Sequence, residues 1–229
     1  MRVTIRELTL PVWRNLPWRA LGAAAGLGLL LAGTLRWAGG DVRGWPALTL
    51  LRAAVLSYAL ALTFLLDDPA RHTTATVPTR RALRTALRIT LVTPLTALWW
   101  TTVVLLVPAD ARPPVADVTL EAAAACALAL VAGALAVRWT HEPHPGPSVA
   151  ATYLLTALAA PHLLPTGWQL FVWPQDSNWG PAHVRWAWLL AGALLALAAG
   201  IQEPVRKRTL RLGRRAPLSP SGGTPSGGA

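Results

Sequence analysis

Arg52 and Glu121 are ionisable residues inside stretches that are otherwise apolar. At 1.5 Å per residue, Arg52 lies about 9 Å along its predicted helix from Pro46, and Glu121 lies about 6 Å from Asp117. A charge held at such a depth in hydrocarbon is costly, so each side chain is expected to have a partner. The sequence therefore predicts an Arg52–Glu121 ion pair. The alternative is that each side chain reaches the aqueous interface separately by snorkelling.

Two histidines near the middle of the chain have the spacing HxxH. His141 and His144 flank Glu142, but Pro143 and Pro145 interrupt the helix that would be needed to present these groups to one ion. We therefore predict a turn here, and no metal site.

The sequence lacks the common enzyme signatures. It has no HExxH, GxSxG or GxxxxGK[ST] motif, and Ser57, the only serine deep in an apolar stretch, has no histidine at similar depth. An enzyme acting on lipids would need a cluster such as His162, Asp176 and His183. We predict that the chain is not an enzyme, needs no cofactor and cannot hydrolyse ATP by itself.

The composition indicates the surroundings of these charged residues. The chain of 229 residues is 53% hydrophobic and 14% charged, and its formal net charge is +11. Because the basic residues border apolar stretches, the charge indicates a membrane rather than nucleic acid as the partner. The single cysteine, Cys126, lies in an Ala/Leu stretch, which excludes a disulfide framework.

The fold class predicted is an all-α, polytopic membrane helix bundle. A bilayer core about 30 Å thick needs roughly 20 apolar residues in a helix, and six stretches meet or approach that length. These six predicted spans are 18–37, 46–66, 87–107, 117–138, 148–171 and 183–201.

The basic residues also predict the orientation. With the N-terminus in the cytoplasm, sixteen of the 21 Lys and Arg residues fall on the cytoplasmic side and five on the outer side. We therefore predict six transmembrane helices with both termini cytoplasmic. Residues 1–17 are predicted to form an interfacial N-terminal segment, 18–201 the six-span domain, and 202–229 a basic and then disordered cytoplasmic tail.

The connection between the second and third spans is a polar stretch on the predicted cytoplasmic side. Asp67, Asp68 and Pro69 form a helix stop, and Pro78 precedes a short helix restart. The basic residues of this stretch are Arg71, Arg80, Arg81, Arg84 and Arg88. The simpler explanation, which stays open, is that they only anchor the loop on anionic lipid and set the topology.

The fifth predicted span is interrupted near the outer surface. Pro161, Pro165 and Gly167 break the helix, and His162 and Trp168 lie in the same stretch. Interrupted backbone at membrane depth must be satisfied by protein or water, and tryptophans crowd the region like an interfacial belt. A short re-entrant helical pair over residues 161–182 accounts for both features.

This layout resembles the membrane subunit of type-2 ABC exporters of the actinobacterial kind. The resemblance covers nearly the whole chain in architecture, and the loop match is Asp67 to Arg84, with VPTRR at 77–81 similar to the P-x-x-R stretch of such loops. Where family loops often carry a Glu-rich stretch, this chain has Asp67-Asp68 followed by threonines.

The resemblance implies a function. It implies an exporter subunit in a bacterial cytoplasmic membrane that couples ATP hydrolysis by a separate ATP-binding subunit to transport. The coupling loop would be the Asp67–Arg84 stretch, and a second membrane subunit, identical or different, would complete a dimer. The alternative left open is a non-transporting accessory or immunity membrane protein.

Overall fold

A computed structural model describes residues 5–37, 45–67, 81–140 and 144–201. All regular structure in these ranges is helical. The α-helices are α1 Ile5–Arg14, α2 Trp18–Trp37, α3 Trp45–Leu62, α4 Arg81–Leu106, α5 Val115–Trp139, α6 Gly146–Leu163 and α7 Trp179–Ile201. Two 3₁₀ turns, Thr63–Leu66 and Thr166–Trp168, follow α3 and α6 respectively.

Five helical segments of the described residues are long and apolar enough to cross a membrane. They are Trp18–Trp37, Pro46–Leu66, Leu83–Leu106, Val115–Trp139 and Trp179–Gly200. Helix α6 is not among them: its 18 residues are less apolar, and Pro161 and His162 lie in its last turn. The protein is therefore all-helical in its described parts and has the character of a multi-pass membrane protein.

Helix bounds follow the predicted spans at most positions. Helix α2 coincides with the predicted stretch 18–37. Helix α4 begins at Arg81 instead of residue 87, so the helix expected to restart after Pro78 runs without a break into the third span. Helix α7 begins at Trp179, one turn before the predicted start.

The last eight residues of the predicted fifth span, 148–171, are not part of helix α6, which ends just before Pro165, one of the two prolines predicted to interrupt this span. Helix α6 ends at Leu163, and Leu164 is extended with φ −73° and ψ 135°. Leu164 precedes Pro165, and a residue before proline is disfavoured in helical geometry. The expected re-entrant helical pair does not form either, because the chain between Leu163 and Trp179 contains only one 3₁₀ turn and an irregular segment, 169–178.

Contacts near the helix ends define two opposite ends of the bundle. At one end, Arg52 of α3 bonds to Glu121 of α5, which lies beside His183 of α7, and all three residues are near the start of their helices. We call this the Glu121 end. At the other end, Asp67 follows α3 and bonds to Gly146 at the start of α6. We call this the Asp67 end. Helices α3, α5 and α7 therefore run from the Glu121 end toward the Asp67 end, whereas α6 begins at the Asp67 end and runs in the opposite direction.

The core lies where α2, α3 and α4 meet. Trp99 of α4 stacks on Tyr58 of α3 with ring centroids 4.2 Å apart, and its Nε1 donates to the carbonyl of Ala25 in α2 at 3.1 Å. Gly28 of α2 lies directly against the indole ring, and a Cβ at this position would also lie 3.4 Å from the Cβ of Ala54 in α3. Small residues let helices approach closely, which provides van der Waals contact where lipid removes the hydrophobic driving force.

Helix α1 is a separate, amphipathic element. It packs against α4. Val12 of α1 is buried, and so is Leu16, two residues after the end of the helix, whereas Leu10 is 60% exposed. Trp13 and Trp18 pack at 4.5 Å between centroids, and the Trp18 Nε1 donates to the Trp13 carbonyl. These contacts fix the angle at which the chain enters α2.

Candidate functional site

Arg52 and Glu121 form a two-point ion pair at the Glu121 end. Arg52 Nε donates to Glu121 Oε2 and Arg52 Nη2 donates to Glu121 Oε1, both at 2.7 Å. The side chains are 19% and 7% exposed. Because the planar guanidinium donates two parallel hydrogen bonds to the carboxylate, the contact fixes the relative orientation of the two side chains as well as stabilising them. The structure thus brings together the two residues that the sequence predicts as a pair.

The meeting follows from the positions of these residues in their helices. Arg52 lies seven residues after the start of α3 and Glu121 six residues after the start of α5, which at 1.5 Å per residue places each about 10 Å into its helix. Both helices begin at the same end of the bundle, so the two charges are level. Neither charge is left in the low-dielectric interior without a counter-charge.

Three further polar residues extend the pair toward α7. His183 Nε2 lies 3.2 Å from Glu121 Oε1, and His183 Nδ1 lies 2.8 Å from the Trp179 carbonyl. Trp179 Nε1 donates to Asp117 Oδ2 at 2.7 Å. Asp117 and Glu121 are four residues apart on α5, as are Trp179 and His183 on α7, so each pair shares a helix face. We call these five residues the Glu121 cluster: Arg52, Asp117, Glu121, Trp179 and His183.

The irregular segment 169–178 is held against this cluster. Arg52 Nη2 donates to the Val172 carbonyl at 3.2 Å, and the guanidinium carbon lies 5.5 Å from the centre of the Phe171 ring. Arg185 and Trp186 of α7 donate to the carbonyls of Gln169 and Leu170. Side chains therefore satisfy backbone carbonyls that helix geometry no longer satisfies, as a bundle in lipid requires.

A second polar junction lies at the Asp67 end. The carboxylate of Asp67 accepts the backbone N–H of Gly146 at 3.1 and 3.2 Å, so a residue that follows α3 caps the start of α6. A negative charge at a helix N-terminus is stabilised by the helix dipole. A Cβ at position 146 would overlap the Asp67 carboxylate and lie 2.6 Å from the Phe64 ring, so this approach requires glycine.

Arg88 of α4 completes the Asp67 junction. Its side chain is buried and its Nη1 donates to the carbonyls of Asp67 at 2.9 Å and Leu65 at 3.2 Å. Burial raises the pKa of the Asp67 carboxyl, and the Gly146 N–H, His144 and Arg88 partly oppose that rise. The junction of Asp67, Arg88 and Gly146 thus connects three helical elements: α3, α4 and α6.

Most of the predicted coupling loop lies outside the described residues. Asp68, Pro69, Arg71, Pro78 and Arg80 belong to this part. Arg81 is the first residue of α4, and Arg84, one turn later, is half-buried. The described ends of the loop are therefore Asp67 on one side and the first turns of α4 on the other.

The residues predicted for the outer re-entrant element do not form a common site. Pro161 and His162 are exposed in the last turn of α6. Pro165, Gly167 and Trp168 are exposed in and beside the following 3₁₀ turn, Trp168 at 62%. His162, Asp176 and His183 have separate surroundings as well, because His183 is buried beside Glu121 and Asp176 accepts the backbone N–H of Asn178.

Sequence reasoning missed the roles of His183, Arg88 and Gly146. A signal existed for His183, since a histidine one turn into a span that contains Trp and Arg is a candidate partner for a buried carboxylate. Gly146 stands between two prolines, which suggests a turn and gives no sign of a distant carboxylate. Within the described ranges, no three His, Cys, Asp or Glu residues are grouped so that they could hold a metal ion.

Comparisons of the chain with protein-family models, with curated proteins and with solved structures find no match. The two polar junctions and the arrangement of the helices are therefore the features of this chain that point to a function.

Proposed function

We propose that the chain is the membrane-spanning subunit of an ABC-type exporter in a bacterial cytoplasmic membrane. It has six spans with both termini cytoplasmic, and it works with a separate ATP-binding subunit and a second membrane subunit. In this proposal α6 is the fifth span, the Asp67 end faces the cytoplasm, and the Glu121 end faces outward.

The observation that carries the proposal is the Asp67 junction. The connection 68–80 leaves the described structure next to Asp67 and returns to it at Arg81, and Asp67 is bonded to α4 through Arg88 and to α6 through Gly146. A displacement of this connection by a docked partner would act on three helices together. Coupled transport needs such an arrangement, because a partner on one side must change the packing of several spans.

Charge supports the same location for a partner. Four arginines belong to the connection or border it: Arg71, Arg80, Arg81 and Arg84. The whole chain has 21 basic residues and only 10 acidic ones. A basic loop at the cytoplasmic surface attracts an acidic protein surface and steers its approach.

The test is co-expression of this chain with the soluble ATPases encoded in the same genome, followed by purification through a tag on the membrane subunit. We expect the ATPase to co-purify with the wild type and to be lost with the double variant Arg80→Glu/Arg81→Glu. The matched control is Arg36→Glu/Arg43→Glu, which reverses two charges at the predicted outer side and should retain the ATPase. Elution as a monodisperse membrane protein shows that each variant is folded.

Each outcome has a distinct meaning. If the wild type retains no ATPase, the exporter proposal fails and a non-transporting accessory or immunity protein becomes the better account. If the ATPase binds but the Arg80/Arg81 reversal does not release it, the docking loop is misassigned. If Arg88→Gln retains the ATPase while the hydrolysis rate of the complex no longer depends on the membrane subunit, the Asp67 junction is the coupling element.

A further inference from the structure

Helix α4 presents a polar face to the outside of the bundle. Four exposed residues share one side of the helix at spacings of four, three and four positions: Thr90, Pro94, Ala97 and Thr101. All four lie within the part of α4 that is long and apolar enough to cross a membrane, Leu83–Leu106. Threonine and alanine are enriched where helices meet each other in lipid, so this face has the composition of a helix–helix contact.

One backbone group on this face lacks its helical donor. In an α-helix the carbonyl of Thr90 accepts the N–H of residue 94, but that residue is proline and has no N–H. Thr90 lies about 10 Å along the span from Leu83, at 1.5 Å per residue. At such a depth the hydrocarbon offers no hydrogen bond, so the freed carbonyl must be satisfied by protein or by water in a cavity.

The neighbouring threonines do not supply the missing donor. The hydroxyls of Thr93 and Thr96 donate to other carbonyls of their own helix, at 2.8 and 3.0 Å. The hydroxyl of Thr90 itself has no hydrogen-bond partner within the described part of the chain. Thr90 therefore presents an unused donor and an unused acceptor together, on an exposed face inside the span.

A second copy of the chain provides both missing partners at the correct depth. Two identical subunits with the same orientation in the membrane are related by a two-fold axis along the membrane normal, so Thr90 of one copy can face Thr90 of the other. The small side chain of Ala97 allows the two helices to approach closely. Lipid tails offer neither a donor nor an acceptor, and an unrelated subunit would have to match both groups at this depth.

We propose that this face of α4 is a homodimer interface, in which the Thr90 hydroxyl of each copy donates to the Thr90 carbonyl of the other copy. Leu98 and Leu105, which are 66% and 59% exposed, flank the polar residues and complete the contact. The interface would make the second membrane subunit of the proposed exporter identical to this chain. It needs no ATPase, however, and rests only on α4 crossing the membrane.

The surface is tested by disulfide cross-linking of single cysteines in native membranes, in a Cys126→Ala background. We expect Ala97→Cys to give a cross-linked dimer on oxidation. The matched control is Leu30→Cys on α2, which is 59% exposed and lies two residues after Gly28, the residue that contacts Trp99. This control should stay monomeric.

Each other result of the cross-linking overturns the proposal. Equal cross-linking at both positions would show random collision, and a product of any other mass would show a different protein on this face. If Ala97→Cys stays monomeric, its reaction with a hydrophilic thiol reagent separates the two remaining cases. Reaction would assign the face to a water-filled path, and no reaction would assign it to lipid.

Two variants test the hydrogen bonds through the dimer dissociation constant, measured by energy transfer between labelled copies diluted in liposomes. Thr90→Val removes the hydroxyl with little change of shape, and Pro94→Ala restores an N–H that satisfies the Thr90 carbonyl within its own helix. Because each variant removes both bonds between the copies, we expect each to raise the dissociation constant about five- to tenfold, from the usual strength of hydrogen bonds between membrane helices.

Thr101→Val is the matched control for these variants. It removes a hydroxyl from the same face of α4, but this hydroxyl donates to the Ala97 carbonyl of its own helix at 2.9 Å. The dissociation constant should therefore stay at the wild-type value. An unchanged dissociation constant in either Thr90→Val or Pro94→Ala would contradict the proposed bonds.

Discussion

Gly28 shows how one missing side chain permits a whole contact. A Cβ at this position would lie 2.5 Å from Cζ2 of Trp99 and 3.3 Å from its Cε2. Trp99 has little freedom to move away, because it stacks on Tyr58 and its Nε1 donates to the Ala25 carbonyl. The position therefore tolerates no side chain without displacing the indole ring from the core.

We expect Gly28→Ala to destabilise the protein by about 1–3 kcal/mol, the usual cost of overpacking a filled core. The measurement is the apparent melting temperature in detergent. Gly22→Ala and Gly26→Ala are matched controls in the same helix, since nothing lies within 4 Å of a Cβ at either position. If Gly28→Ala has the same melting temperature as these controls, α2 does not pack against Trp99 as closely as the structure shows.

Asp67 is the residue at which stability should depend on pH. Burial raises the pKa of its carboxyl above the ordinary 3.8, so the folded protein binds this proton more readily than the unfolded chain does. The resulting stability is fully present below about pH 3.8 and is lost as the pH rises through the folded pKa.

Asp67→Asn does not titrate and provides the reference. The melting temperature of the wild type minus that of Asp67→Asn should be more positive near pH 4 than near pH 7.5, because subtraction removes the titration of all other groups. A difference that instead grows in favour of the wild type toward pH 7.5 would mean that the Gly146 and Arg88 contacts outweigh burial.

At the scale of helices, the Arg52–Glu121 pair connects α3 to α5. Arg52→Gln and Glu121→Gln should each cost about 3 kcal/mol, since each leaves a buried charge without its partner. The double variant should cost about as much as either single one, which is the signature of two residues acting as a unit.

Unfolding in a mixed detergent series, followed by helical circular dichroism, gives the four free energies of this cycle. Arg36→Gln is the matched control: Arg36 is exposed at the end of α2, and its loss should change stability by less than about 0.5 kcal/mol. Fully additive single effects would show that the contact contributes no coupling.

At the scale of the whole molecule, the alternation of helices makes a prediction about sidedness. Ala109, between α4 and α5, and His144, just before α6, are exposed at opposite ends of α5. In a Cys126→Ala background, a membrane-impermeant maleimide should label Ala109→Cys in intact cells. It should label His144→Cys only after the membrane is opened. The reverse pattern would invert the orientation, and labelling of both in intact cells would show that α5 does not cross.

The sequence predicts the helices well because apolar length is a local property. The stretch 18–37 coincides with α2, and the other predicted spans overlap a helix, since a run of about 20 apolar residues satisfies its backbone internally. The predicted interruption of the fifth span is present, because helix α6 ends at Leu163, just before the pre-proline residue Leu164. The re-entrant helical pair predicted after this break does not form. Pro94 and Pro161 both lie within helices. Whether a proline ends a helix therefore depends on its steric contacts in the folded chain, which the sequence pattern does not show.

The residues alone predict a set of apolar helices with a few ionisable groups that need partners, and they also predict Arg52 as the partner of Glu121, with separate snorkelling as the alternative. The packing of the helices was needed to choose between these two, and it alone shows that Asp67 caps a helix that begins 79 positions later. The physical reason is that the cost of an unpaired charge depends only on its own surroundings. Which residue becomes the partner depends on how the helices pack, because packing decides which side chains lie at the same depth as the charge.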